Sequence, residues 1–169
     1  MVNNYTSKGY HFDTIWTDIP YMENLIDFTV DDAEGKPYEN LGKQVDLWHE
    51  AGIWFVPILD AGVGIKNDRK GKNYYQKGVD MNCLMKSRQN PNKLNGSLIG
   101  YVWPGKCGFV DYLAPNGTKY WMEGLQDLYD LVEFDGIWID MNEPSNFDNC
   151  PYGECPDLVQ EATVAELFE

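Results

Sequence analysis

Three short apolar runs, each ending at or beside an aspartate, constrain the fold of this 169-residue chain more than any other feature. They span residues 12–18, 53–60 and 136–141. Most of their apolar positions are β-branched or aromatic, which is typical of buried β-strands. Each run therefore predicts a strand, and Asp18, Asp60 and Asp140 stand at the strand ends.

Between these strands the apolar residues recur at helical spacing, which predicts helices over residues 41–50 and 118–132. The repeating positions are Leu41, Val45 and Trp48 in the first helix, and Trp121, Leu125, Leu128 and Val132 in the second. Gly52 can end the first helix. Alternating strands and helices predict parallel pairing with right-handed crossovers. Two α/β architectures fit, a doubly wound open sheet and part of a (β/α)8 barrel, and both bind ligands at the carboxyl ends of the strands.

A long non-helical region, residues 61–115, separates the second strand from the second helix. It contains a predicted hairpin that pairs residues 81–85 with residues 98–102 around Asn-Pro and Asn-Gly turn residues. Residues 158–169 have a weak helical pattern. The length of the chain suits one domain.

The charge balance excludes several classes of partner. The chain has 27 acidic and 13 basic residues, for a net charge of −14. Nucleic acids and anionic membranes both attract Lys and Arg, so neither is expected as a partner. The most apolar stretch, residues 53–65, is too short to span a bilayer and contains Asp60. Aromatic residues make up 14% of the chain, enough to line a cleft for a flat ligand.

Three aspartates at neighbouring strand ends indicate a site, although a single Asp in such a position most often caps the following turn. No EF-hand spacing and no His/Cys cluster predicts a metal, and no Walker loop predicts a phosphate site. No cofactor is therefore predicted. His11 and His49 are interpreted as structural. Carboxylates combined with aromatic faces favour glycoside hydrolysis.

The segment WIDMNEPSNF, residues 138–147, resembles the signature of glycoside hydrolase family 31, the α-glucosidase family. Three further motifs agree with the family in order and spacing. They are IWTDIPYM at residues 15–22 with DFT at residues 27–29, VPILD at residues 56–60, and VWPG at residues 102–105. The resemblance implies barrel strands two to four, and it is closer to the lysosomal and digestive α-glucosidases than to the glucosidase II branch.

The same resemblance implies roles for individual residues. Asp140 matches the catalytic nucleophile, which forms a glycosyl-enzyme intermediate. Asp18 and Asp60 match residues that hydrogen-bond the sugar. The matches to residues lining the sugar pocket are Ile58, Trp103, Trp138 and Met141. An α-glucoside oligosaccharide or polysaccharide is the substrate that the family implies.

Glu143 is a competing candidate, because Asn-Glu-Pro at the end of a fourth barrel strand also carries the acid/base in another glycosidase clan. In an extended strand Asp140 and Trp138 share a face, whereas Glu143 has the opposite parity. Asp140 is therefore the predicted nucleophile, and Glu143 is predicted to have a structural role.

The chain also departs from the family pattern. Pro20 stands where most members have Asp, and no segment matches the later strand that carries the family's acid/base Asp. We therefore expect residues 1–169 to be a fragment of one catalytic domain, with the rest of the barrel on a longer or separate chain. The alternative is a non-catalytic or vestigial carbohydrate-binding module that lacks the second carboxylate.

The family and three Asn-x-Ser/Thr acceptors, at Asn4, Asn95 and Asn116, hint at a lysosomal or extracellular route. No signal peptide is visible at the start of the chain. Cys150 and Cys155 flank a turn, where a disulfide and two free thiols are equally compatible with the sequence.

Overall fold

The computed structural model describes residues 2–88, 91, 92 and 94–147, and the alternation of strands and helices is as predicted. In chain order the elements are α1 (Val2–Thr6), β1 (Thr14–Thr17), α2 (Leu41–Glu50), β2 (Trp54–Asp60), β3 (Gly62–Gly64), α3 (Tyr74–Asp80), β4 (Ile99–Val102), β5 (Gly105–Phe109), α4 (Gly117–Tyr129) and β6 (Trp138–Asp140). The predicted tail helix, Cys150 and Cys155 lie outside the described residues.

The main sheet contains β1, β2 and β6, with β2 in the centre. Both pairings are parallel, which confirms the prediction from the strand–helix alternation. These three strands form an open sheet, and the described residues close no barrel. The carboxyl ends of the strands meet at one edge, because Asp60 of β2 is in register with Asp140 of β6.

The two faces of this sheet differ. Ile15, Phe55 and Leu59 point to one face and are buried in the main core. On the same face the α2 residue Trp48 packs against Phe55, with ring centroids 5.7 Å apart. The opposite face leaves Trp16, on β1, 68% exposed. Side chains alternate between the faces of a strand, so this second face belongs to the even-numbered residues, which include Asp60 and Asp140.

Helix α2 has the predicted bounds, and Gly52 ends it as expected. Gly52 has φ +75° and donates its N–H to His49 at 2.9 Å, a left-handed conformation that glycine adopts without strain. Helix α4 is shorter than predicted and ends at Tyr129. Val132 is nevertheless buried, because its N–H still bonds to the Leu128 carbonyl at 2.9 Å.

The predicted hairpin between residues 81–85 and 98–102 is wrong. Strand β4 pairs instead with β5, and β5 also pairs with β3, in a small antiparallel sheet. The segment before β4 touches this sheet through isolated bonds, such as the Leu98 N–H donated to Met85 at 2.7 Å. Strand β5 was missed because Gly105 and Gly108 lower its strand propensity. Gly108 is needed here because a Cβ would lie 2.8 Å from the Tyr75 ring.

No helix in the described part of the chain combines the length and the apolar character needed to cross a membrane.

Candidate active site

The three predicted aspartates lie at one edge of the main sheet. Asp60 and Asp140 are the last residues of β2 and β6 and are partners in register, on strands about 4.8 Å apart. Asp18 directly follows β1. Burial, followed by the charges of Asp140 and then Asp18, raises the pKa of Asp60 to about 7. The three carboxyl groups are therefore close enough to repel one another.

Asp18 combines two structural features. Its carboxylate accepts the Ile19 N–H at 2.7 Å and so caps a short 3₁₀ turn, Ile19–Tyr21. The capping role that competes with a site role is thus present, yet the Asp18 side chain remains exposed at the strand edge. Pro20 stands at the start of this turn, where its missing N–H has no intrahelical partner to lose. The departure from the family at Pro20 is therefore accommodated locally.

Aromatic and apolar side chains lie just below the carboxylates on the same face of the sheet. Trp138 of β6 is in register with buried Ile58 of β2. Trp16 of β1 packs on Trp138 with ring centroids 5.8 Å apart. Sequence reasoning did not include Trp16 in the pocket. The available signal was parity, since Trp16 stands two residues before Asp18 and so shares its face.

Trp103 reaches this edge from the turn between β4 and β5. Its indole N–H lies 3.1 Å from the Met141 sulfur, and the Phe147 ring contacts it edge-on at 4.8 Å. Met141 has φ +57°, a left-handed conformation that strains a non-glycine residue. This strain falls directly after Asp140, and such outliers cluster at functional sites. Trp103 and Met141, predicted separately, are thus in direct contact.

Strands β4 and β5 and the turn between them form the β4–β5 hairpin, which carries Trp103. Two hydrogen bonds attach this hairpin to the loop after β6. The Tyr101 N–H donates to the Asn146 side-chain oxygen at 2.7 Å. The Phe147 N–H donates to the Tyr101 carbonyl at 3.0 Å. The turn that carries Trp103 and the loop that begins with Met141 are therefore held together as one unit.

Glu143 lies in a different environment from the three aspartates. Its carboxylate is fully exposed and accepts a hydrogen bond from the Ser145 hydroxyl, which lowers its pKa. A general acid in a glycosidase needs a raised pKa, so that it keeps its proton until the leaving group departs. The environment of Glu143 does not favour that role.

Asp27 is a buried carboxyl group that sequence reasoning did not place at the site. One of its oxygens accepts the Asp60 N–H at 2.9 Å. Asp27 lies in the loop after β1. The search for aspartates at the ends of apolar strands therefore did not identify it. The only sequence signal was its position in the DFT motif.

His49 lies away from this edge of the main sheet. The His49 Nε2 lies 2.8 Å from an oxygen of Asp135, and that same oxygen accepts the Phe55 N–H near the amino end of β2. Among the residues that the structure describes, no group of three or more His, Cys, Asp or Glu side chains is arranged to hold a metal ion.

Comparison with known proteins gives consistent results. Residues 1–166 match the family model of the glycosyl hydrolases family 31 TIM-barrel domain. A lysosomal acid alpha-glucosidase of Tetrahymena pyriformis is 38% identical over 150 residues, which cover 87% of this chain and 15% of that protein. Glucoamylase 1 of Candida albicans is 38% identical over 152 residues, with the same two coverages. The chain thus spans about 15% of the length of these curated relatives.

The fold agrees with solved structures of the same family. The family 31 alpha-glucosidase from Bacteroides thetaiotaomicron has a TM-score of 0.69 and 27% sequence identity, over 88% of this chain and 23% of that one. One conclusion explains the three parallel strands, the aspartates at their carboxyl ends and the sequence signature that begins in β6: this chain belongs to glycoside hydrolase family 31 and carries part of its TIM-barrel domain.

Proposed function

We propose that the protein containing this chain hydrolyses terminal α-linked glucose from oligosaccharides or polysaccharides with retention of configuration, and that residues 1–169 form the nucleophile-bearing part of its catalytic domain. The observation that carries this proposal is the position of Asp140. It ends β6, beside Asp60 and on the same face as Trp138. Membership of the family and its α-glucosidase relatives support the choice of substrate.

In the proposed reaction a carboxylate oxygen of Asp140 attacks the anomeric carbon, and the bond from that carbon to the glycosidic oxygen breaks. A carboxylic acid protonates the departing oxygen. We propose that this acid is supplied from outside residues 1–169, since the resemblance places it on a later barrel strand. Water then attacks the anomeric carbon, releases Asp140 and returns a proton to the same acid.

The other predicted residues would hold the terminal glucose. Asp18 and Asp60 present carboxyl oxygens that can accept sugar hydroxyls. Trp138 and Trp103 offer flat apolar faces of the kind on which sugar rings pack. The apolar side chains of Ile58 and Met141 complete the wall between them. Because these contacts come from β1, β2, β6 and the hairpin together, the pocket depends on the whole described fold.

The proposal is tested by trapping the glycosyl-enzyme intermediate. The protein is treated with 5-fluoro-α-D-glucosyl fluoride, which slows the departure of the sugar from the nucleophile, and its peptides are then examined by mass spectrometry. We expect the sugar on Asp140 itself, which fragmentation of the labelled peptide distinguishes from Glu143 three residues later. A sugar attached at Glu143 contradicts the assignment of the nucleophile. Binding of maltose with neither turnover nor an adduct supports the non-catalytic carbohydrate-binding module instead.

We further propose that the protein enters the secretory route. The asparagines of the three acceptor sites, Asn4, Asn95 and Asn116, are all exposed. The Asn116 amide donates to the Met81 carbonyl at 2.9 Å, which favours Asn4 and Asn95 for modification. A loss of mass on treatment of the native protein with an N-glycosidase checks this, and an unchanged mass contradicts it.

A further inference from the structure

The carboxyl group of Asp27 is buried against the proposed site although the mechanism above does not use it. Asp27 is 1% exposed, and its Oδ1 accepts the Asp60 N–H at 2.9 Å. This bond joins the loop after β1 to the last residue of β2, 33 residues further along the chain. The backbone position of Asp60 therefore depends on the Asp27 side chain.

Among the described residues, no Lys, Arg or His side chain shifts the pKa of Asp27. The titratable side chains that act on it or respond to it are Tyr21, Asp60, Cys107, Tyr112 and Tyr120. Asp60 faces two further acids, Asp18 and Asp140. Two adjacent buried carboxylates without a cation repel each other and lose their hydration. A proton on one of them removes most of that cost.

The oxygens of the two carboxyl groups lead to the same conclusion. Oδ2 of Asp27 and Oδ1 of Asp60 are both buried, and neither has a hydrogen-bond partner among the described residues. An ionised carboxylate can only accept hydrogen bonds, so a bare buried oxygen is costly for it. A protonated carboxyl group tolerates that position better because it carries no charge.

We propose that Asp27 is a positioning residue for the proposed glucoside pocket: it holds the backbone of Asp60 through Oδ1 and keeps a proton on its own carboxyl group at neutral pH. Its effect on catalysis rests on the proposed function, whereas its protonation does not. Burial, followed by the charge of Asp60, raises the pKa of Asp27 well above its usual range, and this outweighs the opposing hydrogen bond from the Asp60 backbone.

Infrared spectroscopy tests the proton directly. A protonated carboxylic acid has a carbonyl stretching band that a carboxylate lacks. We expect this band at neutral pH in the unmodified protein and a clear loss of its intensity in Asp27→Asn, where the band that remains belongs to Asp60, whose pKa is about 7. The matched control is Asp68→Asn, because Asp68 is also buried and accepts a backbone N–H, from Lys72 at 2.6 Å, within its own loop. The control should keep the band, and its absence from the unmodified protein overturns the proposed proton.

Kinetics of the protein that contains this chain, with p-nitrophenyl α-D-glucopyranoside as substrate, tests whether Asp27 positions Asp60. Asparagine at position 27 keeps an oxygen for the Asp60 N–H and is neutral, as a protonated Asp27 is. Asp27→Asn should therefore keep kcat/KM within about threefold, whereas Asp27→Ala should lose about tenfold or more. Asp68→Asn should match the unmodified protein.

Each outcome bears on one part of the inference. An Asn variant as impaired as the Ala variant overturns the neutral carboxyl group, and an Ala variant as active as the unmodified protein overturns the positioning role. If Asp27→Ala does not fold, the infrared spectrum and the activity of Asp27→Asn still test the neutral carboxyl group. No turnover by the unmodified protein overturns the proposed function alone, because the infrared band requires no substrate.

Discussion

At the scale of single residues, the roles of the carboxyl groups depend on their surroundings. Asp140 and Glu143 stand three positions apart in one motif. Asp140 ends a strand beside Asp60, whereas Glu143 lies in the exposed loop beyond it with a lowered pKa. The parity argument from the sequence predicts different roles for these two residues, and their environments in the structure also differ.

This difference leads to a prediction for turnover. Asp140→Asn should abolish hydrolysis of α-glucosides, because an amide cannot act as the nucleophile. Glu143→Gln should keep measurable activity, since it changes only an exposed side chain and its contact with Ser145. Steady-state kinetics of both variants checks this. An inactive Glu143→Gln with an active Asp140→Asn reverses the assignment.

Asp60 predicts how stability changes with pH. Its pKa is near the usual value in the unfolded chain and about 7 in the folded one, so the folded state binds the proton more tightly between those values. The contribution of Asp60 to the free energy of unfolding is therefore fully present at acidic pH and is lost as the pH rises from about 4 to about 7. Urea titrations across this range should show a decline that Asp60→Asn reduces. Equal slopes for the two proteins contradict the raised pKa.

At the scale of elements, the site depends on contacts between segments distant in sequence. The β4–β5 hairpin carries Trp103, and the loop after β6 carries Met141 and Asn146. The Asn146 side chain and the Phe147 backbone hold Tyr101 of β4. The hairpin and the loop therefore place Trp103 and Met141 against each other.

Breaking this connection should weaken catalysis without removing any group that touches the sugar. Asn146→Ala leaves the Tyr101 N–H without this acceptor, a loss of about 1 kcal/mol that should reduce kcat/KM about fivefold. Asn116→Ala is the matched control. The Asn116 side chain also bonds a backbone group, the Met81 carbonyl, but Asn116 lies at the start of α4. Comparable losses of activity in both variants would mean that the effect is general destabilisation.

At the scale of the whole molecule, the sheet buries Phe55 and Leu59 on one face and leaves two tryptophans of the other face exposed. Trp16 and Trp54 are 68% and 58% exposed, on the face that carries the proposed pocket. In a TIM barrel this face points into the interior, where side chains from the other strands fill it. The described residues alone leave Trp16 and Trp54 uncovered, although Ile58 and Asp60 of the same face are buried. Within these residues the sheet keeps two unpaired strand edges.

The 169-residue chain expressed alone should therefore associate with itself and bind a hydrophobic dye. Replacing Trp16 and Trp54 together by Glu should reduce both effects. Leu113→Glu is the control, since Leu113 is 96% exposed but lies off the sheet. Sedimentation velocity and dye fluorescence measure the outcome. A monomeric unmodified chain with a cooperative thermal transition contradicts the prediction.

The sequence by itself determined the three strands, the bounds of α2, the parallel order and the three aspartates at one edge. These features follow from local pattern, because apolar spacing specifies the element, and parallel strands bring their carboxyl ends together. The family resemblance added the prediction that Trp103 and Met141 line the pocket.

Only the tertiary structure decided the pairing of β4 with β5, the contact of Trp16 with Trp138, and the bond from Asp60 to Asp27. Each of these joins residues through packing or through a backbone hydrogen bond. Such bonds leave no periodic pattern in the chain, and glycines such as Gly108 are chosen for close approach rather than for strand propensity. Asp27 shows the difference most clearly, because burial beside a second carboxyl group, and not its place in the sequence, sets its charge.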